Sequence, residues 1–377
     1  MFEALSYLTL QQYWWMLGSL LGALLVFLMF VQGGQTLLFT LAKTEDERTL
    51  LVNSLGHKWE FTFTTLVTFG GALFAAFPLF YATSFGGAYW VWTIILFAFI
   101  LQAVSYEFRT KAGNFFGQRV YEIFLILNGA LATILIGTAV GTFFTGSEFS
   151  LNDMNQVIWE GPARGLEAAF NIQNLALGLA VFFLARVLGI LYFMNNIEDD
   201  AINSRGKKQL LINTVPFLVF FLFFVIRLMF LDGFAYDQDT KEVAMEANKY
   251  FNNLIEMPIV LVIFLLGVVG VLWGIIVSLL KSSTKGIWFS GAGTVLTVLA
   301  LFFLAGFNNT AFYPSTFDLQ SSLTIENASS SKFTLTAMSY VSLMIPIVLA
   351  YIWIAWRSLN KKKMRKEDLL NSDDHVY

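Results

Sequence analysis

The chain contains no cysteine, which excludes disulfides, thiolate-held metals, iron–sulfur clusters and covalently attached haem. Histidine is nearly as scarce. His57 falls in a polar segment and His375 in the terminal tail, so neither can be an axial ligand inside an apolar segment. Charge is sparse as well: Asp, Glu, Lys and Arg make up 13% of 377 residues, against about 25% in soluble proteins. So little polar surface cannot cover a water-exposed body of this size. The net charge of −3 leaves no basic footprint for nucleic acid. No Gly-rich phosphate loop, His-Glu metal helix or Ser/His/Asp set occurs at a helix-compatible spacing.

What the chain has instead is apolar length. Hydrophobic residues make up 57% of it and Phe alone counts 40. Nine stretches, near 13–42, 59–83, 88–107, 119–145, 172–195, 209–231, 257–280, 286–306 and 337–356, approach or exceed the ~20 residues that cross a bilayer as a helix. Backbone groups in lipid must bond internally, and continuous runs of this length do not fit the ~10-residue alternating strands of a barrel. The first stretch is too long for a signal peptide and lacks its basic leader; its length implies tilt or a break at Gly33-Gly34. The expected fold is an all-α integral membrane protein, a single polytopic domain over 1–356 with a basic then acidic tail over 357–377.

Lys and Arg divide by side. The loops after the first, third, fifth and seventh stretches and the tail hold 17; the remaining flanks hold 4, and Arg186 and Arg227 lie inside spans. This bias places the N-terminus outside and the C-terminus in the cytoplasm. The run Lys361-Lys362-Lys363-Met364-Arg365-Lys366 reads as an anchor to anionic headgroups. Spans one to four and five to eight run in the same directions, which permits two four-helix bundles with a ninth, peripheral helix.

Ionisable groups at membrane depth are the functional candidates. Trp59-Glu60 opens the second span and Glu107 closes the third, with Arg109 two residues on and Glu122 at the start of the fourth. All stand at the cytoplasmic mouth, where carboxylates can gather protons, or cap helices and pair with arginine among the headgroups. Arg186, about fourteen residues into its span, needs an acidic or carbonyl partner. Arg227 lies five residues before Asp232 and reads as a structural pair near the outer surface. Gln32, Gln35 and Gln102 can hydrogen-bond between helices, Gly70-Gly71-Ala72 suits close helix packing, and Pro78 can bend or end the second span. Trp14, Trp15, Trp90 and Trp356 read as interfacial belts.

The run Asp46-Glu47-Arg48, Asn53-Ser54, Trp59-Glu60 and Gly70-Gly71-Ala72-Leu73-Phe74-Ala75-Ala76-Phe77-Pro78 resembles the first hydrophilic loop and second helix of cytochrome bd quinol oxidase subunit II. The likeness continues in order through Tyr106-Glu107-Phe108-Arg109, Asp232-Gly233-Phe234, Asn309-Thr310-Ala311-Phe312-Tyr313-Pro314-Ser315, Ser321-Ser322-Leu323-Thr324, Leu335-Thr336 and Lys366-Glu367-Asp368. The resemblance implies a bacterial cytoplasmic-membrane complex that oxidises quinol and reduces dioxygen to water with cytoplasmic protons. It places two b-type haems and one d-type haem in subunit I, and makes this chain its haem-free partner of nine helices. Small single-span accessory subunits and a structural quinone or lipid are further partners compatible with it. Glu60 matches the family's span-two acid, which is assigned to a proton path. The neighbouring residues depart from the pattern, with Phe61-Thr62-Phe63-Thr64-Thr65 after it and Phe30-Val31-Gln32-Gly33-Gly34-Gln35 in place of an acid-bearing stretch. Two other roles stay open beside the proton-path subunit: a purely structural partner, and a stand-alone transporter using Arg186 and Arg227.

Overall fold

The computed structural model describes residues 1–365 and 367; the acids of the predicted tail from Asp368 onward, and His375, lie outside them. The chain begins with α1 (Tyr7–Leu28), α2 (Phe30–Gln35) and α3 (Leu38–Leu41), then α4 (Glu45–Gly56), α5 (Trp59–Ala76) and α6 (Pro78–Tyr81). Longer helices follow: α7 (Tyr89–Phe108), α8 (Gln118–Thr145), α9 (Ile172–Asn196) and α10 (Asp200–Met229). The last are α11 (Lys249–Glu256), α12 (Pro258–Leu280), α13 (Gly286–Gly306), α14 (Lys332–Ser342) and α15 (Ile345–Leu359). Two antiparallel ribbons interrupt this helical order, β1 (Phe149–Leu151) with β2 (Val157–Trp159) and β3 (Gly233–Tyr236) with β4 (Val243–Glu246).

Among the described residues seven helices are long and apolar enough to cross a membrane, or eight if α14 and α15, bent by 40° at Leu343-Met344, form one span. These match eight of the nine predicted stretches. The stretch 59–83 falls short because α5 opens on polar residues and stops at Ala76, where Phe77 turns out of the helix and Pro78 starts α6. A proline N–H is missing and its ring opposes the preceding turn, so the break sits where the sequence places it. Ser330 caps the freed end, its N–H and Oγ donating to the carbonyls of Ala76 and Ala75 at 2.8 and 2.7 Å.

The helix of the first span is interrupted, but not at its glycines. The breaks fall at Met29 and at Thr36-Leu37, while Gly33-Gly34 stays helical inside α2. A Cβ on Gly33 would collide with the Ala185 carbonyl, and one on Gly189 would meet the Gly34 backbone at 2.6 Å. These glycines let α2 and α9 touch backbone to backbone. Gly71, by contrast, faces open space with no atom within 4 Å, so the Gly70-Gly71 pair does not make the tight contact its spacing suggests.

The belts are also reassigned. Trp15 is buried, donates its indole N–H to the Phe302 carbonyl at 3.2 Å and packs 4.4 Å from the Phe312 ring. Trp14 donates to Ser339, and Trp356 is buried among Phe30, Phe61, Tyr192 and Trp288. Of the four named tryptophans only Trp90 is exposed. The other three are core residues because α14 covers Trp14, α13 covers Trp15, and Trp356 packs from α15 onto the bundle.

The connecting segments sort into two sets. At the basic end, Ser54 bonds Asn196, Arg205 pairs with Glu47, Asn195 reaches Thr284, and Met364 pairs with the backbone at Asn196 to Glu198. At the opposite end, Ser147 meets Ser315, Ala235 meets Thr310, Tyr250 bonds Phe144, and Gln11 reaches Glu326 and Ser329. Helix α5 runs between the sets, from Trp59 beside Tyr106 to Ala76 beneath Ser330.

Candidate functional site

The ionisable residues singled out in the sequence meet different fates at the basic end. Arg109, at the end of α7, and Glu122, one turn into α8, are both buried. Arg109 Nη2 lies 2.8 Å from Glu122 Oε1 and Nε donates to the same oxygen at 3.2 Å; Arg48 Nε lies 3.1 Å from Oε2. Thr49 Oγ1 accepts from Arg109 at 3.0 Å. One carboxylate thus holds two guanidinium groups, an arrangement stable only while every charge keeps its partner.

Glu107 points the other way. It pairs with Lys111 one turn on at 2.7 Å, with both side chains more than half exposed. Glu60 is also exposed, on the outward face of α5 that continues through Thr64, Thr68 and Gly71. Its neighbour Trp59 turns inward and stacks on Tyr106, rings 5.7 Å apart and 10° from parallel.

A ladder of amides rises from this cluster into the helices. Gln35 donates to Tyr106 Oη at 3.1 Å, and one turn earlier Gln32 donates to Gln102 Oε1 at 3.4 Å. The interhelical bonding expected of these glutamines is present. Gln32, Gln35, Gln102 and Asn128 are all fully buried. Oε1 of Gln32 and Gln35, Nε2 of Gln102 and both amide atoms of Asn128 have no protein partner. Buried polar atoms of this kind are normally satisfied, commonly by internal water.

Lys58, at the start of α5, is 1% exposed and sits with Nζ 5.1 Å from the Trp356 ring centre. Burial pulls its ammonium down to about 8. Nothing in its sequence context distinguished it from a loop lysine.

The predicted pairing of Arg227 with Asp232 does not form: both are exposed and no ion pair joins them. Arg227 lies in the last turn of α10, and Asp232 stands in the short connection from Met229 to β3. Arg186 does find the neutral kind of partner, bonding Asn213 and the Thr36 carbonyl. Between the helices lie two wholly apolar cavities of about 50 Å³ each that share Val26, Leu177, Val181, Val298 and Leu301. Among the described residues no group of three His, Cys, Asp or Glu is placed to hold a metal.

Comparison with known proteins identifies the family. The model of the family "Cytochrome bd terminal oxidase subunit II" matches residues 10–359. The chain is 27% identical to cytochrome bd-I ubiquinol oxidase subunit 2 of Escherichia coli K12, over 99% of its own length and all of the relative's. It is 28% identical to a probable cytochrome oxidase subunit 2 of Haemophilus influenzae, covering 86% and 87%, and 26% identical to the Bacillus subtilis cytochrome bd ubiquinol oxidase subunit 2, covering 87% and 89%. Its fold is similar to that of a chain in the bd oxidase of Geobacillus thermodenitrificans, with a TM-score of 0.65 and 14% identity over 94% of this chain and all of that one. The chain, a multi-pass protein of the bacterial inner membrane, belongs to the cytochrome bd terminal oxidase subunit II family.

Proposed function

We propose that this chain is the haem-free partner of the haem-bearing subunit I, that it stabilises that subunit, and that it brings cytoplasmic protons to the boundary between them. Nine crossings, with the basic end in the cytoplasm, accompany this reading. The span from Trp59 to Ala76, about 27 Å at 1.5 Å per residue, supplies the ninth.

One observation carries the proton role. Glu60 lies on an outward helix face without an ion-pair partner among the described residues, and its neighbour Trp59 stacks on Tyr106, the foot of a buried polar column with Gln35, Gln32 and Gln102. A carboxylate at that height on an outward helix face is suited to a neighbouring subunit rather than to lipid. The orphan amide atoms give water hydrogen-bonding sites along the column. Glu107, exposed at the same mouth, serves as a proton-collecting group among the headgroups.

The test is Glu60→Gln in the assembled oxidase, with quinol-driven oxygen consumption and proton uptake measured together. The expected result is a fall of about tenfold or more in both, the low end of a general acid–base contribution. Unchanged turnover and uptake would sink the proton role and leave the structural one. That second reading has an observation in its favour: the sequence places no acid deeper in the spans than Glu60, Glu107 and Glu122.

A further inference from the structure

Arg186 carries its charge among neutral partners. Its Nε donates to Asn213 Oδ1 at 2.6 Å, and its Nη1 donates to Thr36 Oγ1 at 2.9 Å and to the Thr36 carbonyl at 3.3 Å. Thr36 offers that carbonyl because α2 ends beside it. The Phe182 ring lies 5.5 Å from the guanidinium carbon. Among the described residues Nη2 has no partner, yet it is not one of the sealed atoms, so it opens at the surface. No carboxylate of the described residues is within ion-pair distance of this arginine.

The depth makes this arrangement costly. Residue 186 lies ten residues before the end of α9, roughly 15 Å along the helix axis. A guanidinium rooted there reaches only toward the headgroup layer of the basic end, and a cation at that level calls for a counter-charge. On the elements that hold it, Phe39, three residues after Thr36, and Leu211, Ile212 and Val215, within two residues of Asn213, are exposed. The outward face of α5 mixes Glu60, Thr64 and Thr68 with Val67 and Phe74. The surroundings of Arg186 are therefore those of a lipid-facing wall. Its rim is basic, with Arg48 and Arg119 both within 6 Å of the Phe39 ring centre.

We propose that Arg186, held by Asn213 and Thr36, binds the phosphate of an anionic phospholipid from the leaflet at the basic end. Nη2 donates to the phosphate oxygens while the acyl chains lie along Leu211, Ile212 and Val215. A phosphate oxygen is the acceptor that fits a guanidinium edge. Inorganic phosphate presents the same oxygens, but it has no chains to cover the apolar wall.

The assembled oxidase carrying wild-type chain, Arg186→Gln or Arg186→Lys is purified in mild detergent, with haem absorbance checking assembly. Native mass spectrometry counts retained phosphatidylglycerol. Thermal midpoints are followed during titration with phosphatidylglycerol, phosphatidylcholine or inorganic phosphate. Wild type is expected to retain one more phosphatidylglycerol than Arg186→Gln and to be stabilised by that lipid alone. Arg186→Lys is expected to need about tenfold more lipid, because a point charge replaces the guanidinium fork. Should Arg186→Gln fail to assemble, Asn213→Ala removes the Nε acceptor and is expected to weaken retention without deleting the charge. Equal retention by the variants that assemble overturns the site. Equal stabilisation of wild type by phosphatidylcholine overturns the anionic requirement, and equal stabilisation by inorganic phosphate overturns the lipid.

Discussion

Three carboxylates stand at one mouth, and their neighbours separate them. Glu122 is enclosed by Arg109 and Arg48, so Glu122→Gln leaves two cations facing a neutral amide. The expected cost is about 3–5 kcal/mol, as for one broken member of a buried ionic group, seen as a marked drop in the thermal midpoint of the complex. Glu107→Gln removes only an exposed pair with Lys111 and is expected to stay within about 1 kcal/mol of wild type. If the two variants lost the same stability, burial would not be what distinguishes these sites. Lys58 gives a pH signature. Its folded value of about 8 lies below the ordinary 10.5, so between these values the unfolded chain binds the proton that the folded chain has released. Stability therefore rises with pH from 8 to 10.5, by at most about 3 kcal/mol from this group. Lys58→Met is expected to remove that rise in chemical-denaturation curves collected across the window.

At the scale of elements, α15 depends on one side chain. Most of its residues are exposed, while Trp356 inserts among Phe30, Phe61, Tyr192 and Trp288 under the Lys58 ammonium. Trp356→Ala is expected to cost about 3–5 kcal/mol locally and to expose the segment after Leu343 to protease before the remaining helices yield. Unchanged cleavage kinetics would mean that the helix is held elsewhere. The long apolar helices were legible in the sequence because apolar length in a bilayer leaves the backbone few alternatives. Pro78 was legible for a similar reason, since its effect is local. The tryptophans were not: a belt and a core position both place Trp near a helix end, and only the packing of α14 on Trp14, of α13 on Trp15 and of α15 on the bundle through Trp356 decides between them. The glycines show the same limit, since Gly33 and Gly71 differ in whether another helix arrives. Glu122 and Glu107 stood equal in the sequence because both lie within a turn or two of the same mouth, and burial there is set by Arg48 from a distant segment.

At the scale of the molecule, the contacts between connecting segments bear on the orientation read from charge. The polar contacts among them stay within one end or the other, as with Ser54 and Asn196 at one and Ser147 and Ser315 at the opposite one. An odd number of crossings follows if α5 spans the membrane, and its two ends fall in different sets. The alternative is a re-entrant segment, since α5 is short and is followed by α6 and a further turn at Ala82–Gly87. The absence of cysteine provides a clean background for deciding. In whole cells or sealed vesicles of known orientation, Asp153→Cys and Ala82→Cys are expected to react with a membrane-impermeant maleimide from outside. Asp46→Cys, Ser204→Cys and Ser358→Cys are expected to react only after permeabilisation. These five positions are all exposed in the chain itself. If Asp46→Cys labelled from outside with Asp153→Cys while Ser204→Cys kept its side, α5 would return to the face it left. The ends of the chain would then share one side, and Glu60 would sit in a re-entrant loop rather than at the foot of a crossing helix.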